Sequence, residues 1–298
     1  MTVEMADRET ESRAFICGML SLYSPPESLL TNIATYIDYI DKLFVVDNSP
    51  DNNNTICIDL LAQFPHVEIV TSEKNIGIAG ALNRCISLAK KENYLWMLTM
   101  DQDSYFDKSQ ASRFFYSLPM IDKARVAIIS PSHEEVGAGI EGCEYQKIDS
   151  VMTSGNLLNL SLVEKIGMFD EDLFIDCVDH DYCLRAKLSG LDVFQAKNCS
   201  IEHEVGTPYN GSFLWGCIKR RFYIHSPKRM YFIVRNSLYM NKKYRNAFPE
   251  YMSIHNKEVF HKISKTLRYG NNRALCLKYI IKGYLDYYGN KYGNRVDI

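Results

Sequence analysis

No stretch of the 298-residue sequence reaches the roughly 18 consecutive apolar residues that a membrane-crossing helix needs. Met1 to Arg13 is also too polar to hold the apolar segment of a secretory signal, so a cytoplasmic protein is expected. The glycines of NIGIAGALN, Asn75 to Asn83, have neither GxGxxG nor Walker-loop spacing, so dinucleotide or P-loop binding there is poorly supported. No CxxC pair occurs among the nine scattered cysteines (Cys17, Cys57, Cys85, Cys143, Cys177, Cys183, Cys199, Cys217 and Cys276). Most are therefore expected to be free thiols packed as small apolar groups. Internal repeats, low-complexity linkers and recognised nucleic-acid motifs are missing as well, and nucleic acid is not an expected partner. What is present is core: 46 % hydrophobic and 12 % aromatic residues suffice for one large or two small globular domains.

Overall charge is small, 34 Lys+Arg against 36 Asp+Glu, but it is unevenly placed. Trp215 to Ile298 carries 18 basic and 4 acidic residues, net +14, and the preceding 214 carry 16 and 32, net −16. A basic, Tyr-rich tail suits a phosphate-bearing partner: nucleic acid, an anionic membrane surface or a phosphorylated ligand. A solvated basic helical face accounts for the same charges. On this ground the chain divides into residues 1–214 and a basic, mainly helical region over 215–298.

Through the first 130 residues, short apolar runs alternate with helical periodicity, the pattern of an α/β layer fold with a largely parallel sheet. Strands are expected at Ala14 to Leu20, Leu43 to Val46, Val67 to Val70 and Leu95 to Met100. Helices are expected from Leu29 to Ile40, Ile56 to Phe64 and Ile78 to Ala89. Beyond the glycine-rich Val136 to Gly142, Ile148 to Met152 reads as a strand, and Ser161 with Glu164 has the spacing of a capping box. A helix from Asp179 to Ser189 ends at Gly190, and Ser226-Pro227 starts another.

The strongest local chemistry is DQDS at 101 to 104, directly after a buried strand. Two carboxylates two residues apart in such a turn reach one hard cation, and Mg²⁺ or Mn²⁺ on those oxygens bridges a diphosphate. The alternative is an Asp-rich turn that merely caps a helix. Asp47, at the end of another strand and so on the same sheet edge, suits a base N–H or a ribose hydroxyl; an Asx-turn is the structural counterpart. In NIGIAGALN, Asn75 to Asn83, two glycines allow close approach at a helix N-terminus. The acidic stretch FDEDLFIDCVDHDYCLR places Asp179 at a helix start, where an ionised carboxylate facing a cleft serves as a general base. Asp181 and Arg185 have i, i+4 spacing and form an expected structural pair. His203 and the arginines of HSPKRMYFIVRN complete the candidates, the arginines as neutralisers of phosphate or as partners of surface acids.

Taken in order, VVDNSPDN, NIGIAGALN, DQDS, TSGNLL, FDEDLFIDCVDHDYCLR, EHEVG and HSPKRMYFIVRN resemble the inverting family 2 glycosyltransferases, and closely their rhamnosyltransferase branch, over about residues 14 to 240. The resemblance implies a GT-A fold, a nucleotide-diphosphate sugar donor and a divalent metal. It gives Asp47 to the nucleobase, Asn75 to the nucleotide pocket, Asp101 to the ribose side and Asp103 to the metal. His203 matches a position that completes the metal shell in some members, and Arg235 of the RN motif matches a diphosphate contact. Where many members have Glu-Asp this chain has Val178-Asp179, as the rhamnosyltransferase branch does, so Asp179 inherits the role of base. The implied reaction moves L-rhamnose from dTDP-β-L-rhamnose to a surface glycan on a polyprenyl diphosphate, O-antigen or capsule in type, at the inner face of the cell membrane. There the basic tail would lie against anionic lipid, with Tyr279, Tyr284, Tyr287 and Tyr288 as interfacial anchors. Competing readings are a UDP-hexose or UDP-galactofuranose donor and an inactive membrane- or glycan-binding relative. A sugar-nucleotide pyrophosphorylase is disfavoured because AFICGMLSLYSPPES lacks a basic, glycine-rich triphosphate loop.

Overall fold

A computed structural model describes residues 15–50, 55–62, 64–72, 74–118, 122, 124–134, 142–203, 209–213, 218–222, 224–270 and 272–296. The glycine-rich segment before Gly142, the Asn-rich turn after Pro50 and most of the chain between His203 and Ile224 fall outside that description or lack described side chains. Two compact units divide the chain: Met1–Phe169 with Tyr182–His203, and Asp170–Asp181 with Glu204–Ile298. Residues 170–181 thus join the C-terminal region, whose start falls nearer 204 than the 215 at which the charge changes sign.

The first unit runs β1 (Ile16–Leu22), α1 (Leu29–Ala34), β2 (Lys42–Asp47), α2 (Thr55–Ala62), β3 (Val67–Val70), α3 (Gly77–Lys91), β4 (Trp96–Asp101), β5 (Ser104–Tyr105) and α4 (Lys108–Tyr116). It continues through β6 (Val126–Ser132), β7 (Tyr145–Lys147), β8 (Asn156–Asn159), α5 (Val163–Ile166), α6 (Val178–Leu188), β9 (Asp192–Ser200) and β10 (Glu202–His203), with α6 crossing the division between units. Eight strands form one sheet in the order β3-β2-β1-β4-β8-β6-β9-β7. The first four named are parallel, β8 runs antiparallel between β4 and β6, β9 is parallel to β6, and β7 closes the far edge antiparallel. Both faces of the central strands are covered, so their sequences are unbroken apolar runs rather than alternating ones: β4 and β6 are buried almost throughout.

Register decides what reaches the sheet's carboxyl edge. Leu22 pairs with Asp47 and Ser21 with Asp101, so two acids end the strands that flank β1. The four strands expected before residue 101 and the GT-A arrangement are present, whereas three details differ from expectation. Ile148 to Met152 forms no strand; the pairing segment comes earlier, at β7. Asn159, not Ser161, caps the turn at Leu160–Leu162 by accepting from the Ser161 N–H, and Glu164 instead pairs with Lys90. Cys143 and Cys199 are joined by a disulfide, with Cα atoms 6.4 Å apart across 56 residues, because pairing of β7 with β9 brings those stretches together. Cys17, Cys85, Cys177, Cys183 and Cys276 are buried free thiols, as expected.

The second unit holds β11 (Tyr209–Phe213), β12 (Ile218–Phe222) and three helices, α7 (Pro227–Tyr244), α8 (Pro249–Tyr269) and α9 (Arg273–Tyr288). Ser226 accepts from the Arg229 N–H at 3.2 Å ahead of Pro227, the helix start its sequence announces. Phe174, Tyr231, Phe232 and Val296 form one apolar cluster, and Met230, Ile233 and Val259 another. Helices α7 and α9 approach so closely at Gly283 that a Cβ there would stand 2.6 Å from the Tyr231 carbonyl oxygen. Among the described residues no helix is long and apolar enough to cross a membrane.

Candidate active site

At the carboxyl edge of the first unit, the residues between the named acids hold the geometry. Gln102 accepts from the Tyr23 N–H at 2.8 Å and donates to the Tyr23 carbonyl at 3.0 Å, while its own carbonyl accepts from Asn32 Nδ2 at 3.1 Å. Ser154 Oγ accepts the Asp101 N–H at 3.1 Å. The turn is thus tied to three other segments, with an aspartate on either side of its locked glutamine. Helix capping is not what these acids do. Asp107 caps α4, accepting from the Ser109 N–H at 2.9 Å, and those bonds hold its carboxyl below the ordinary range.

His203 arrives from a hundred residues away on β10, which pairs antiparallel with β5 so that His203 faces Ser104. Its Nδ1 lies 2.7 Å from Ser104 Oγ and 3.4 Å from Asp103 Oδ1. Asp101, Asp103 and His203 each offer one ligand atom, and these atoms all lie within 4.8 Å of one another. Two carboxylate oxygens and one imidazole nitrogen, partly open to water, are a donor set that suits Mg²⁺ or Mn²⁺ with the remaining positions left for water and phosphate oxygens. Asp101 therefore stands with the metal-type group, whereas the resemblance assigns it to the ribose side.

On the β2 side of the same edge, Asp47 Oδ1 accepts from the Ser49 N–H at 2.9 Å, an Asx-turn of the kind its sequence allowed. Ser49 Oγ accepts in turn from the Ser24 N–H. Asn75 Oδ1 accepts from the Gly77 N–H at 2.8 Å, and Gly77, at φ 69°, adopts the left-handed turn that opens α3. Asn48, between Asp47 and Ser49, is the tie between these turns. Buried, it donates to Ser21 Oγ at 3.0 Å and accepts from the Ile76 N–H at 2.9 Å. Nothing but its place between Asp47 and Ser49 in a polar run could have pointed to it.

The acidic stretch lies largely in the second unit, where three of its six acids, Asp170, Asp176 and Asp181, have side-chain partners on α7. Asp170 accepts from Tyr239 OH at 2.7 Å and Asp176 from Arg229 at 3.1 Å. Asp181 is fully buried and bonds Tyr244 OH at 2.6 Å and Lys243 Nζ at 2.7 Å. Arg185, four residues on from Asp181, donates to the Ile166 carbonyl at 2.8 Å. Asp179 stands in the first turn of α6, partly exposed, where the helix dipole favours its charge, and its Oδ1 accepts the His180 N–H at 2.8 Å. Beside it, His180 Nδ1 is hydrogen-bonded to Tyr251 OH, and the ring of buried His255 stands edge-on to His180 with centroids 5.8 Å apart. Desolvation pushes His255 down to about 4, and it raises the Cys177 thiol far above its ordinary value.

Three residues immediately before α6 hold left-handed backbone: Phe174, Asp176 and Cys177, at φ 65°, 65° and 66°. None is glycine or asparagine, so each costs about 1–2 kcal/mol and needs surroundings that enforce it. Arg235 supplies part of that. Its guanidinium, wholly buried, donates to the carbonyls of Asp172 at 2.8 Å, Leu173 at 3.1 Å and Gly293 at 2.5 Å. A diphosphate contact, the role the resemblance gives Arg235, would require exchanging these bonds.

Comparison with known proteins agrees with this geometry. Residues 26–140 match the family described as "Glycosyl transferase family 2". The fold recurs at a TM-score of 0.58 in "Mannosyltransferase PcManGT from Pyrobaculum calidifontis in complex with GDP-Man and Mn2+", 13 % identical, covering 94 % of this chain and 88 % of that one. It recurs at the same score in GalNAc-T7, solved with UDP, GalNAc and Mn²⁺, 12 % identical over 92 % of this chain, which spans only 55 % of that protein's length. The fold is thus of the GT-A class, and the match over residues 26–140 supports a glycosyltransferase. Within that class it is similar to the dTDP-rhamnosyl transferase RfbF of Shigella flexneri, 27 % identical over 279 residues, 85 % of this chain and 87 % of that one.

Proposed function

We propose that the protein transfers L-rhamnose from dTDP-β-L-rhamnose, with inversion, to a hydroxyl of a growing surface polysaccharide carried on a polyprenyl diphosphate. Likeness to a dTDP-rhamnosyl transferase along nearly the whole chain supports the donor, and the Asp101–Asp103–His203 group carries the chemistry. Those three side chains would hold Mg²⁺ or Mn²⁺. Such an ion, when bound, offsets the charge that develops on a leaving diphosphate. Asp47 accepts from the nucleobase, Asn75 lines the nucleotide pocket, and Asp101 lies toward the ribose. Asp179 takes the proton of the acceptor hydroxyl as that oxygen bonds to the anomeric carbon, the bond from carbon to phosphate oxygen breaks, and dTDP departs from the opposite face. The product is an α-L-rhamnoside.

The acceptor's lipid is reached from an anionic membrane at the inner face of the cell membrane. Leu277, Ile281, Tyr284, Leu285 and Tyr288, spaced i, i+4, i+7, i+8 and i+11 on α9, are 47–62 % exposed and form one apolar face. Lys278 and Lys282 belong to the same helix, and the region from Trp215 carries +14. That charge attracts an anionic bilayer and opposes docking of a second copy, so a membrane is the occupant that fits. Of the tyrosines first considered as anchors, Tyr279 is committed to the Phe174–Phe232 cluster instead.

A panel of nucleotide sugars tested by thermal shift with Mn²⁺ distinguishes the donors. dTDP-β-L-rhamnose should raise the melting temperature most, since a ligand at 100 times its Kd adds about 2.7 kcal/mol. A larger shift with a UDP-hexose or UDP-galactofuranose would replace the donor assignment.

A further inference from the structure

Arg235 and Asn236 fix the one stretch of backbone from which Asp179 springs. Arginine is seldom wholly buried without a carboxylate against it, yet this guanidinium bonds three main-chain carbonyls, Asn236 Oδ1 at 2.9 Å and Tyr231 OH at 3.4 Å. Asn236, itself buried, directs Nδ2 at the carbonyls of Leu173, Ile175 and Asp176 at 2.9, 2.7 and 2.9 Å. Together the two side chains take the carbonyls of residues 172, 173, 175 and 176. Those carbonyls belong to the segment whose Phe174, Asp176 and Cys177 are left-handed. Cys177 then offers the carbonyl that accepts the Asp181 N–H at 2.9 Å and so begins the hydrogen-bonded ladder of α6. Asp179 lies three residues beyond the last carbonyl Asn236 holds. A backbone released at 172–176 would relax toward right-handed geometry and move the start of the helix.

We propose that Arg235 and Asn236 are positioning residues for the transfer: by holding these carbonyls they set where Asp179 stands, and neither touches the donor diphosphate. The proposal rests on Asp179 being the base. A planar guanidinium reaches several carbonyls at once, which a lysine ammonium on a flexible stem does not reproduce.

Arg235→Lys and Asn236→Ser, each alone and combined with Asp179→Asn, test this by single-turnover transfer of rhamnose to a synthetic lipid-diphosphate acceptor. Calorimetric titration with dTDP and Mn²⁺ reads the donor site separately. Arg235→Lys is expected to slow transfer about 10–100-fold, the scale of a misplacement of about 1 Å, with dTDP affinity unchanged. In the Asp179→Asn background the same substitution should cost almost nothing more, because the group it positions has already been disabled. A purely structural lesion would slow both backgrounds equally, and that result overturns the proposal. So does a parallel fall in dTDP affinity, the mark of a diphosphate contact. Full transfer by Asp179→Asn alone would remove the base assignment, and the positioning role with it. Asn236→Ser keeps the guanidinium and one donor, and supplies the same comparison should Arg235→Lys fail to fold.

Discussion

Asp179 and Asp181 are two residues apart, and the structure gives them opposite responses to the same change, Asp→Asn. Asp181 is fully buried, bonded to Tyr244 OH at 2.6 Å and Lys243 Nζ at 2.7 Å. An amide keeps an acceptor for the tyrosine but removes the charge facing the ammonium. Removing one member of a wholly buried pair costs about 3–5 kcal/mol. Lys243 is about one-third exposed and keeps Asp170 at 3.4 Å when Asp181 is neutralised, so the smaller figure for a charge-assisted bond, about 1.5–3 kcal/mol, applies. The helical unit of Asp181→Asn should accordingly unfold at lower urea, with transfer per folded molecule largely kept. Asp179 accepts from the His180 N–H, a bond that Asn also accepts. Turnover should instead fall by about 10²–10⁴, the usual contribution of a general base. Urea titration followed by circular dichroism, paired with single-turnover transfer corrected for the folded fraction, separates the two. Near-normal turnover in Asp179→Asn beside lost turnover in folded Asp181→Asn would refute the reasoning and move the base by two residues.

His255 is buried neutral, its pKa pushed from an ordinary 6.5 to about 4, so the unfolded chain binds the extra proton between those values. Stability from this group is fully present above about pH 6.5 and falls as the pH drops toward 4, by up to about 3 kcal/mol, and His255→Phe should flatten that fall in a urea series from pH 7 to 4. On α9, Ile281→Glu with Leu285→Glu should abolish sedimentation with phosphatidylglycerol vesicles at low salt while leaving dTDP affinity intact. Unchanged vesicle binding would put the contact elsewhere, and a shift from dimer to monomer would make the apolar face a contact between copies.

How far the sequence could be read depended on whether neighbours in space were neighbours in the chain. The runs at β1, β2 and β4 are apolar because both sheet faces are covered, and turn residues follow each, so the strands and the acids at their ends were legible together. β6 starts with the apolar Val126 to Ile129 but ends in Ser-Pro-Ser, which reads as a turn, and β9 interleaves polar residues along a less buried path. DQDS was legible from local spacing alone as a turn that brings two carboxylates together. His203 was legible as a candidate but not as their neighbour, since a two-residue strand pairing brings it there. The partners of Asp181 on α7 lie over 60 residues away, beyond the reach of any helical spacing. The resemblance matches Arg235 to a diphosphate contact, and its burial against carbonyls is set by packing that no local pattern encodes. The Cys143–Cys199 bridge likewise depends on which strands pair.

The central claim is that Asp101, Asp103 and His203 together hold the ion that binds the donor's diphosphate. Its most direct test is calorimetric titration of dTDP-β-L-rhamnose into the wild-type protein and Asp103→Ala, each with Mn²⁺ and again with EDTA. Binding in the wild type should require the metal, and Asp103→Ala should bind weakly and equally in both solutions. Equal affinity of wild type with Mn²⁺ and with EDTA, or metal-dependent affinity that survives in Asp103→Ala, would contradict it.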